Sequence, residues 1–372
     1  MHKIISLSQN IAINKNKIKI DDIYLKKILD FCINLFKKHL PKYANITNEA
    51  LLTQLSDPVN AFDRAIPRIE IHKALDGEIV GVQLSVPPEL RTKIADEISQ
   101  DKTLSLQLTR PGRSIIELSI KGITKALPID YLNKNYTKVL KAMNYQKQPG
   151  FKIDAKKSKT LIISDGDGTI YGAPLMNTKN AVLFNTLGNS IAKAPLLEYL
   201  ANGGVYALCT GANIETASQR ILAAFPENKK ELLSRVILIS TSGATLNYFT
   251  KTGELKEYKP YRIEALNSYF EKSNEPYSLD AVYLGDEYKK TGNDYPAFKR
   301  IGFDRAILVA EHKEKDLAEE LNQPFVGSFE KGSAEFLKSM LRNLKNAQKL
   351  GSVFSIPQIE QYKTEARKTL TS

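Results

Sequence analysis

Two aspartates, Asp165 and Asp167, stand one glycine apart at the end of the apolar run Leu161, Ile162, Ile163 in the segment LIISDGDGTIYG. A carboxylate leaving a buried strand can act as a nucleophile and form an acyl phosphate. A second carboxylate two residues on can protonate a leaving oxygen and later activate water. Two like charges so close cost free energy unless a positive group is shared between them. Gly166 and Gly168 allow a sharp turn and close approach to a ligand. An Asp-Gly-Asp-Gly stretch alone also suits a surface turn. The apolar strand before it and Thr169 after it favour chemistry.

LIISDGDGT resembles the first motif of the haloacid dehalogenase (HAD) superfamily, most of whose members are magnesium-dependent phosphohydrolases. That resemblance implies three further marks, in order, at strand ends. In VYALCTGAN, Thr210 ends a strand and Gly211 lets the chain turn into a helix. A hydroxyl and backbone N–H groups at a helix N-terminus make a phosphate seat; an ordinary helix-capping threonine is the alternative. In EYKPYR, Lys259 before Pro260 resembles the family's third motif, a lysine near the start of a helix. Its ammonium would offset transition-state charge, with Lys256 and Lys272 as competitors and a solvated lysine as the plain alternative. In VYLGDEYKKTGNDYPA, Asp286 leaves a strand and Asp294 follows in the same loop.

The resemblance implies Mg2+ held by Asp165, the backbone carbonyl of Asp167, and Asp286, with Asp294 and Asn293 as further ligands or supports for them. Magnesium takes hard oxygen ligands in octahedral geometry, and it would be the positive group shared by the opening aspartates. Asp165, Asp167, Thr210 and Lys259 are the implied catalytic set. Thr169, Gly211 and Asn213 are candidate substrate contacts, with Tyr171, Ser242, Arg262, Lys289 and Lys290 behind them. The carboxylate at Asp167 points to phosphoryl transfer rather than dehalogenation. The implied sheet order sets the strands before Asp165 and Asp286 side by side.

The elements that must carry these residues fall into two textures. Residues 1–145 read as an α+β unit. IDDIYLKKILDFCINLFKKHLP is an amphipathic helix with Asp21 or Asp22 as cap and Pro41 as stop. EIVGVQLSV alternates like a strand, PPELRTKIADEIS follows as a helix, and TLSLQLTRPGRSIIELSIKGI reads as a hairpin turning at Pro111, Gly112 and Arg113. PIDYLNKNYTKVLKAMNY looks like a closing helix. A polar, basic linker spans 146–159, broken by Pro149 and Gly150. From 160 to 345, short apolar runs (LIIS, VYALC, RVILIS, AVYLG, AILVA) alternate with helical patterns. This is the texture of a parallel sheet covered on both faces. The fold expected is α/β, a HAD-like doubly wound Rossmann-like sheet with a minimal cap, preceded by the smaller α+β domain. The cap is minimal because only TSGATLNYFTKTGELKEYK, a hairpin-like flap turning near Gly253, falls between Thr210 and Lys259. Either the site is open, or the N-terminal domain closes over it. Residues 346–372 read as a helical tail.

The chain has 372 residues, a net charge of +12 and two cysteines, Cys32 and Cys209. A disulfide framework is excluded, and a reducing cytoplasm fits better. No run suits a membrane span or a signal peptide. The positive charge favours anionic partners. No aromatic-interleaved basic motif supports nucleic acid, which stays open as a partner, as does homo-oligomerisation. LGDEYKKTGNDYPA also resembles the fourth motif of the IMP-specific 5′-nucleotidases, which carry an N-terminal domain too. The expected function is Mg2+-dependent hydrolysis of a small phosphorylated metabolite, with nucleoside monophosphates and sugar phosphates in the class. The alternatives are a phosphatase of macromolecules and a non-catalytic binding module on a HAD scaffold.

Overall fold

The computed structural model describes residues 18–57, 67–104, 106–110, 114–172, 186–270, 278–287, 292–302, 305–309 and 329–349. The first helix, Asp22–His39, starts where the Asp21 carboxylate accepts the Tyr24 N–H at 2.8 Å and stops before Pro41. Its buried stripe runs through Ile28, Cys32, Leu35 and Phe36. Strands β1 (Arg68–Lys73), β2 (Ile79–Ser85), β3 (Leu106–Thr109) and β4 (Ile115–Ile120) then form an antiparallel sheet in the order β1-β2-β4-β3. The β3–β4 hairpin matches the sequence pattern, although its turn at 111–113 lies outside the described residues. Strand β1 and the helix Asn48–Leu55 have no counterpart in the sequence reading.

Strand pairing decides what each face of this sheet does. Ile69, Val82, Leu84, Ile116 and Leu118 share one buried face, next to the helices Asn48–Leu55 and Pro88–Gln100. On the other face Glu70, Gln83, Glu117 and Thr109 form one cross-strand row, and His72, Gly81 and Ser119 form the next. Alternation with period two makes this second face polar. Much of it is shielded from water: Glu117, His72 and Ser119 are buried, and Glu70, Gln83 and Thr109 half-buried.

What covers them is the second sheet. Strands β5 (Thr160–Ser164), β6 (Tyr206–Cys209) and β7 (Val236–Ser240) are buried at every position. With β8 (Thr245–Phe249), β9 (Leu255–Glu257), β10 (Asp280–Gly285) and β11 (Ala306–Leu308) they form seven strands ordered β11-β10-β5-β6-β7-β8-β9. The first five in that order are parallel. Helices flank the sheet, giving a mostly parallel α/β architecture compatible with a Rossmann-like fold. The chain runs outward from β5 in both directions. Right-handed crossovers therefore put Lys193–Ala201 and Ile214–Leu222 on one face and Tyr295–Ile301 on the other. Ligands of such sheets bind at the carboxyl ends of the strands where the order reverses, here beside β5.

Four features go beyond the sequence reading. The 245–257 hairpin is not a flap: β8 pairs antiparallel with β7 and simply extends the sheet. The helix Ala126–Ala142 does not close the N-terminal unit. It packs on Lys259–Phe270 and Tyr295–Ile301, and its Tyr136 hydroxyl donates to the Thr160 carbonyl of β5 at 2.8 Å. The 146–159 linker is bound down at several points. The N–H groups of Lys152 and Ile153 donate to the Asn202 carbonyl, and a short helical turn forms at Ala155–Ser158. The helix Phe329–Lys349 packs against Lys193–Ala201 and runs through the expected 345/346 boundary, while 350–372 lies outside the described residues. Among the described residues no helix is long and apolar enough to cross a membrane.

Candidate active site

Because β5 and β10 are parallel neighbours, with Ser164 opposite Leu284, their exits meet. The Asp165 N–H donates to the Leu284 carbonyl at 2.8 Å. Asp165, Asp286 and Asp294 thereby converge, each offering a carboxylate oxygen within 4.8 Å of the others, in a cluster that could hold a metal ion. Asp165 is 5% exposed and Asp294 fully buried.

Asp294 is engaged on both oxygens. Oδ1 accepts the Tyr283 hydroxyl at 2.7 Å, and Oδ2 accepts the backbone N–H groups of Asp286 and Glu287, each at 3.1 Å. Its carboxylate thus fixes the loop that carries Asp286. The buried hydrophobic strand β10 delivers both ends of this arrangement, since Tyr283 belongs to it and Asp286 follows it.

A cation that the sequence reading did not single out completes the cluster. Lys125 is fully buried, and its Nζ lies 2.6 Å from Asp165 Oδ1 and 2.7 Å from Asp294 Oδ1. Burial works against its charge, but Asp165 and Asp294 outweigh that and hold the ammonium well above the ordinary lysine range. Burial pushes the Asp165 carboxyl up, Lys125 opposes, and Asp294 adds to the rise. Burial also raises Asp286, reinforced by repulsion from Asp165 and Asp294. Three carboxylates against one ammonium leave an excess of two negative charges when all are ionised. Buried charge of that kind takes up either protons or a cation. The oxygen-only donor set and the charge excess both suit a hard divalent ion.

Lys259 takes no part in this. It is exposed at the start of the helix Lys259–Phe270, and the ammonium beside Asp165 is that of Lys125. Both lysines open a helix, and that local signal cannot tell one from the other. The position in space separates them. Lys125 follows β4 and immediately precedes the helix Ala126–Ala142, which packs on Lys259–Phe270 and Tyr295–Ile301 and bonds to Thr160 of β5 through Tyr136.

Asp167 faces away from the cluster toward Arg220, whose Nη1 lies 2.8 Å from Asp167 Oδ2. Its side chain is 34% exposed. The guanidinium also lies over the Tyr171 ring, 5.6 Å from its centroid. Tyr171 is buried, as is Thr169, whose carbonyl accepts the Ser333 hydroxyl at 2.7 Å.

Thr210 is buried at the end of β6, and its Oγ1 accepts the Ala212 N–H at 3.2 Å. That closes a local turn; the helix cap, the alternative set beside the phosphate seat, falls to Asn213 instead. Gly211 is needed for close approach: a Cβ there would collide with the Glu117 carboxylate. Asn213 caps the helix Ile214–Leu222, its Oδ1 accepting the Thr216 N–H at 2.8 Å while its Nδ2 donates to Glu70. Ser242 donates its hydroxyl to Glu117, and Thr109 does so at 2.8 Å. Thr241 and Ser242 both hold positive φ, 50° and 49°, in the tight corner after β7. Non-glycine residues there carry backbone strain that surrounding contacts must sustain. Gly81 allows β2 to lie on that corner, since a Cβ would come within 2.8 Å of Thr241 Cγ2.

Arg262, a candidate substrate contact by sequence, is instead a clasp between the sheets. It pairs with Glu257 and with Asp76 and Glu78 in the β1–β2 turn, Nη1 to Glu78 Oε2 at 2.7 Å. Lys256 pairs with Glu254 at the surface. Lys272, Lys289 and Lys290 lie outside the described residues. The polar face of the N-terminal sheet therefore covers the strand ends around Asp165, and Lys125, Glu70 and Glu117 are contributed from that half of the chain. No protein-family model matches this chain, and no curated protein matches it.

Proposed function

We propose that the chain is a Mg2+-dependent phosphohydrolase of HAD type, acting on a small phosphorylated metabolite through an aspartyl phosphate on Asp165. The observation that carries the reading is the convergence of Asp165, Asp286 and Asp294 at adjacent strand ends with a net negative charge. When bound, Mg2+ would neutralise the cluster and polarise the phosphoryl oxygens. Asp165, Asp286 and the backbone carbonyl of Asp167 would hold it, with Asp294 keeping the Asp286 loop in place.

Asp165 attacks phosphorus, and the bond to the leaving oxygen breaks. Asp167 gives a proton to that oxygen once its side chain, which meets Arg220 in this structure, turns toward Asp165 carrying that proton. Asp167 then takes a proton from the water that hydrolyses the acyl phosphate, which frees inorganic phosphate and restores Asp165. The N-terminal sheet over the strand ends favours a small substrate over a protein or nucleic-acid end. Nucleoside monophosphates and sugar phosphates are the first compounds to try.

The test is phosphate release from p-nitrophenyl phosphate and a metabolite panel, with Mg2+ and with chelator. Wild-type activity should require Mg2+, and Asp165→Asn should lower kcat by about 10⁴-fold or more. Activity that survives Asp165→Asn, or is indifferent to chelation, overturns the proposal.

A further inference from the structure

We infer that Lys125, supplied from the N-terminal half of the chain, is the catalytic ammonium that neutralises the reacting phosphoryl group, the role the sequence suggests for Lys259. The inference rests on the phosphohydrolase reading of the same site and assigns a residue that the motif pattern does not contain. Nζ is 2.6 Å from one oxygen of the proposed nucleophile. A phosphorus bonded to that carboxylate would bring its non-bridging oxygens within hydrogen-bond reach of the same nitrogen. An ammonium has three donors. Two go to Asp165 and Asp294, which leaves one that no described residue takes.

Position is set in advance. Lys125 lies in the short turn between β4 and the helix Ala126–Ala142, where the Ile123 N–H donates to Ile120 and the Leu127 N–H to the Thr124 carbonyl. Asp294 Oδ1 also holds the ammonium, 2.7 Å from Nζ, so it is already positioned before substrate arrives. Preorganised charge in a water-excluded site is worth far more than the same charge at the surface, and Lys259 is exposed. The N-terminal sheet is then part of the catalytic machinery, because its last strand leads directly into this lysine.

The experiment uses the full chain with p-nitrophenyl phosphate and Mg2+, comparing Lys125→Met, Lys125→Arg, Lys259→Met and Asp165→Asn. Activity is expressed per folded molecule from circular dichroism and thermal melts. Lys125→Met should lower kcat by about 10²–10³-fold without weakening Mg2+, because the variant loses a competitor for the carboxylates. Lys125→Arg should restore part of kcat, and Lys259→Met should stay within about 2-fold of wild type, as a surface change does. If Lys125→Met does not fold, Lys125→Gln replaces it, keeping a donor beside the carboxylates without the charge. A merely structural lysine would change melting temperature and leave kcat per folded molecule and the Mg2+ midpoint alone. That result, with Asp165→Asn still inactive, overturns the role of Lys125 and leaves the phosphohydrolase reading standing. A wild-type protein that hydrolyses nothing in the panel overturns both.

Discussion

Glu70 and Asp165 are carboxylates on opposite sides of the junction between the two sheets, and they respond to it in opposite ways. Burial raises Glu70, but the His72 imidazole 3.4 Å away, the charge of Arg68 and the Asn213 amide outweigh it and pull the carboxyl down to about 2. Burial raises Asp165 as well, and there Lys125 does not win, since Asp294 adds a like charge; the carboxyl rises to about 8. Glu70 is a completed interaction. Its partners come from its own strand and from the helix cap at Asn213, and nothing more is required to stabilise its charge. Asp165 stands in a cluster with more negative charge than its single ammonium can balance. The polar contacts of the N-terminal sheet serve cohesion, whereas the imbalance at the end of the parallel sheet marks the place where a ligand supplies what is missing.

Removing charge should therefore act in opposite directions on the two sides. Glu70→Gln leaves Arg68 and His72 without their acid, and breaking such a largely buried pair should cost about 3 kcal/mol. Urea unfolding monitored by circular dichroism reads it; a loss too small to measure would mean that these partners do not hold Glu70 as a stabilising charge.

The second effect concerns pH. A carboxyl raised in the folded state binds protons more tightly there than in the unfolded chain, so lowering pH adds stability. For Asp165 the gain runs from about pH 8 down toward the ordinary value of 3.8, at a slope of up to about 1.4 kcal/mol per pH unit for one group. Glu70 has the opposite sign. Its contribution is present above the ordinary value of 4.5 and is lost as pH falls toward about 2, outside that window. Metal-free protein should melt at a higher temperature at pH 5.5 than at pH 8.5. Asp165→Asn should shrink the difference, and saturating Mg2+ should reduce it by holding the carboxylates ionised. A slope indifferent to both changes would place the excess charge elsewhere.

The smallest effect is a control. Lys230 pairs with Glu227 on the surface, their side chains 39% and 86% exposed. Lys230→Ala should leave the unfolding midpoint unchanged within error, because such pairs contribute little.

Much of the parallel sheet was legible. Runs such as LIIS and RVILIS are buried at each strand position, and the acids that follow β5 and β10 do meet, as expected of adjacent strands. Asp21 as a cap and Pro41 as a stop were also readable, because capping is a local interaction between neighbours in sequence. The N-terminal half was less so. RIEIHK carries titratable residues at four of its six positions and lacks a clear strand signal, and the polar residues of an alternating strand show which face is polar without showing what lies against it. Glu70, His72 and Glu117 look like residues for water and are covered by the loops of the other sheet instead. Arg220 is a similar case, a charged residue inside an amphipathic helical pattern whose partner Asp167 lies on a distant loop.

The amino-acid order alone determined where strands end and which acids follow them, since apolar runs, turns and caps are decided by residues close together in the chain. Which lysine reaches those acids was decided only by tertiary packing. Lys125 and Lys259 each open a helix and are equivalent locally. The helix Ala126–Ala142 packs on Lys259–Phe270 and Tyr295–Ile301, bonds to β5 through Tyr136, and takes Lys125 into a place without water, where the charge of Asp165 and Asp294 makes up for the hydration it gave up.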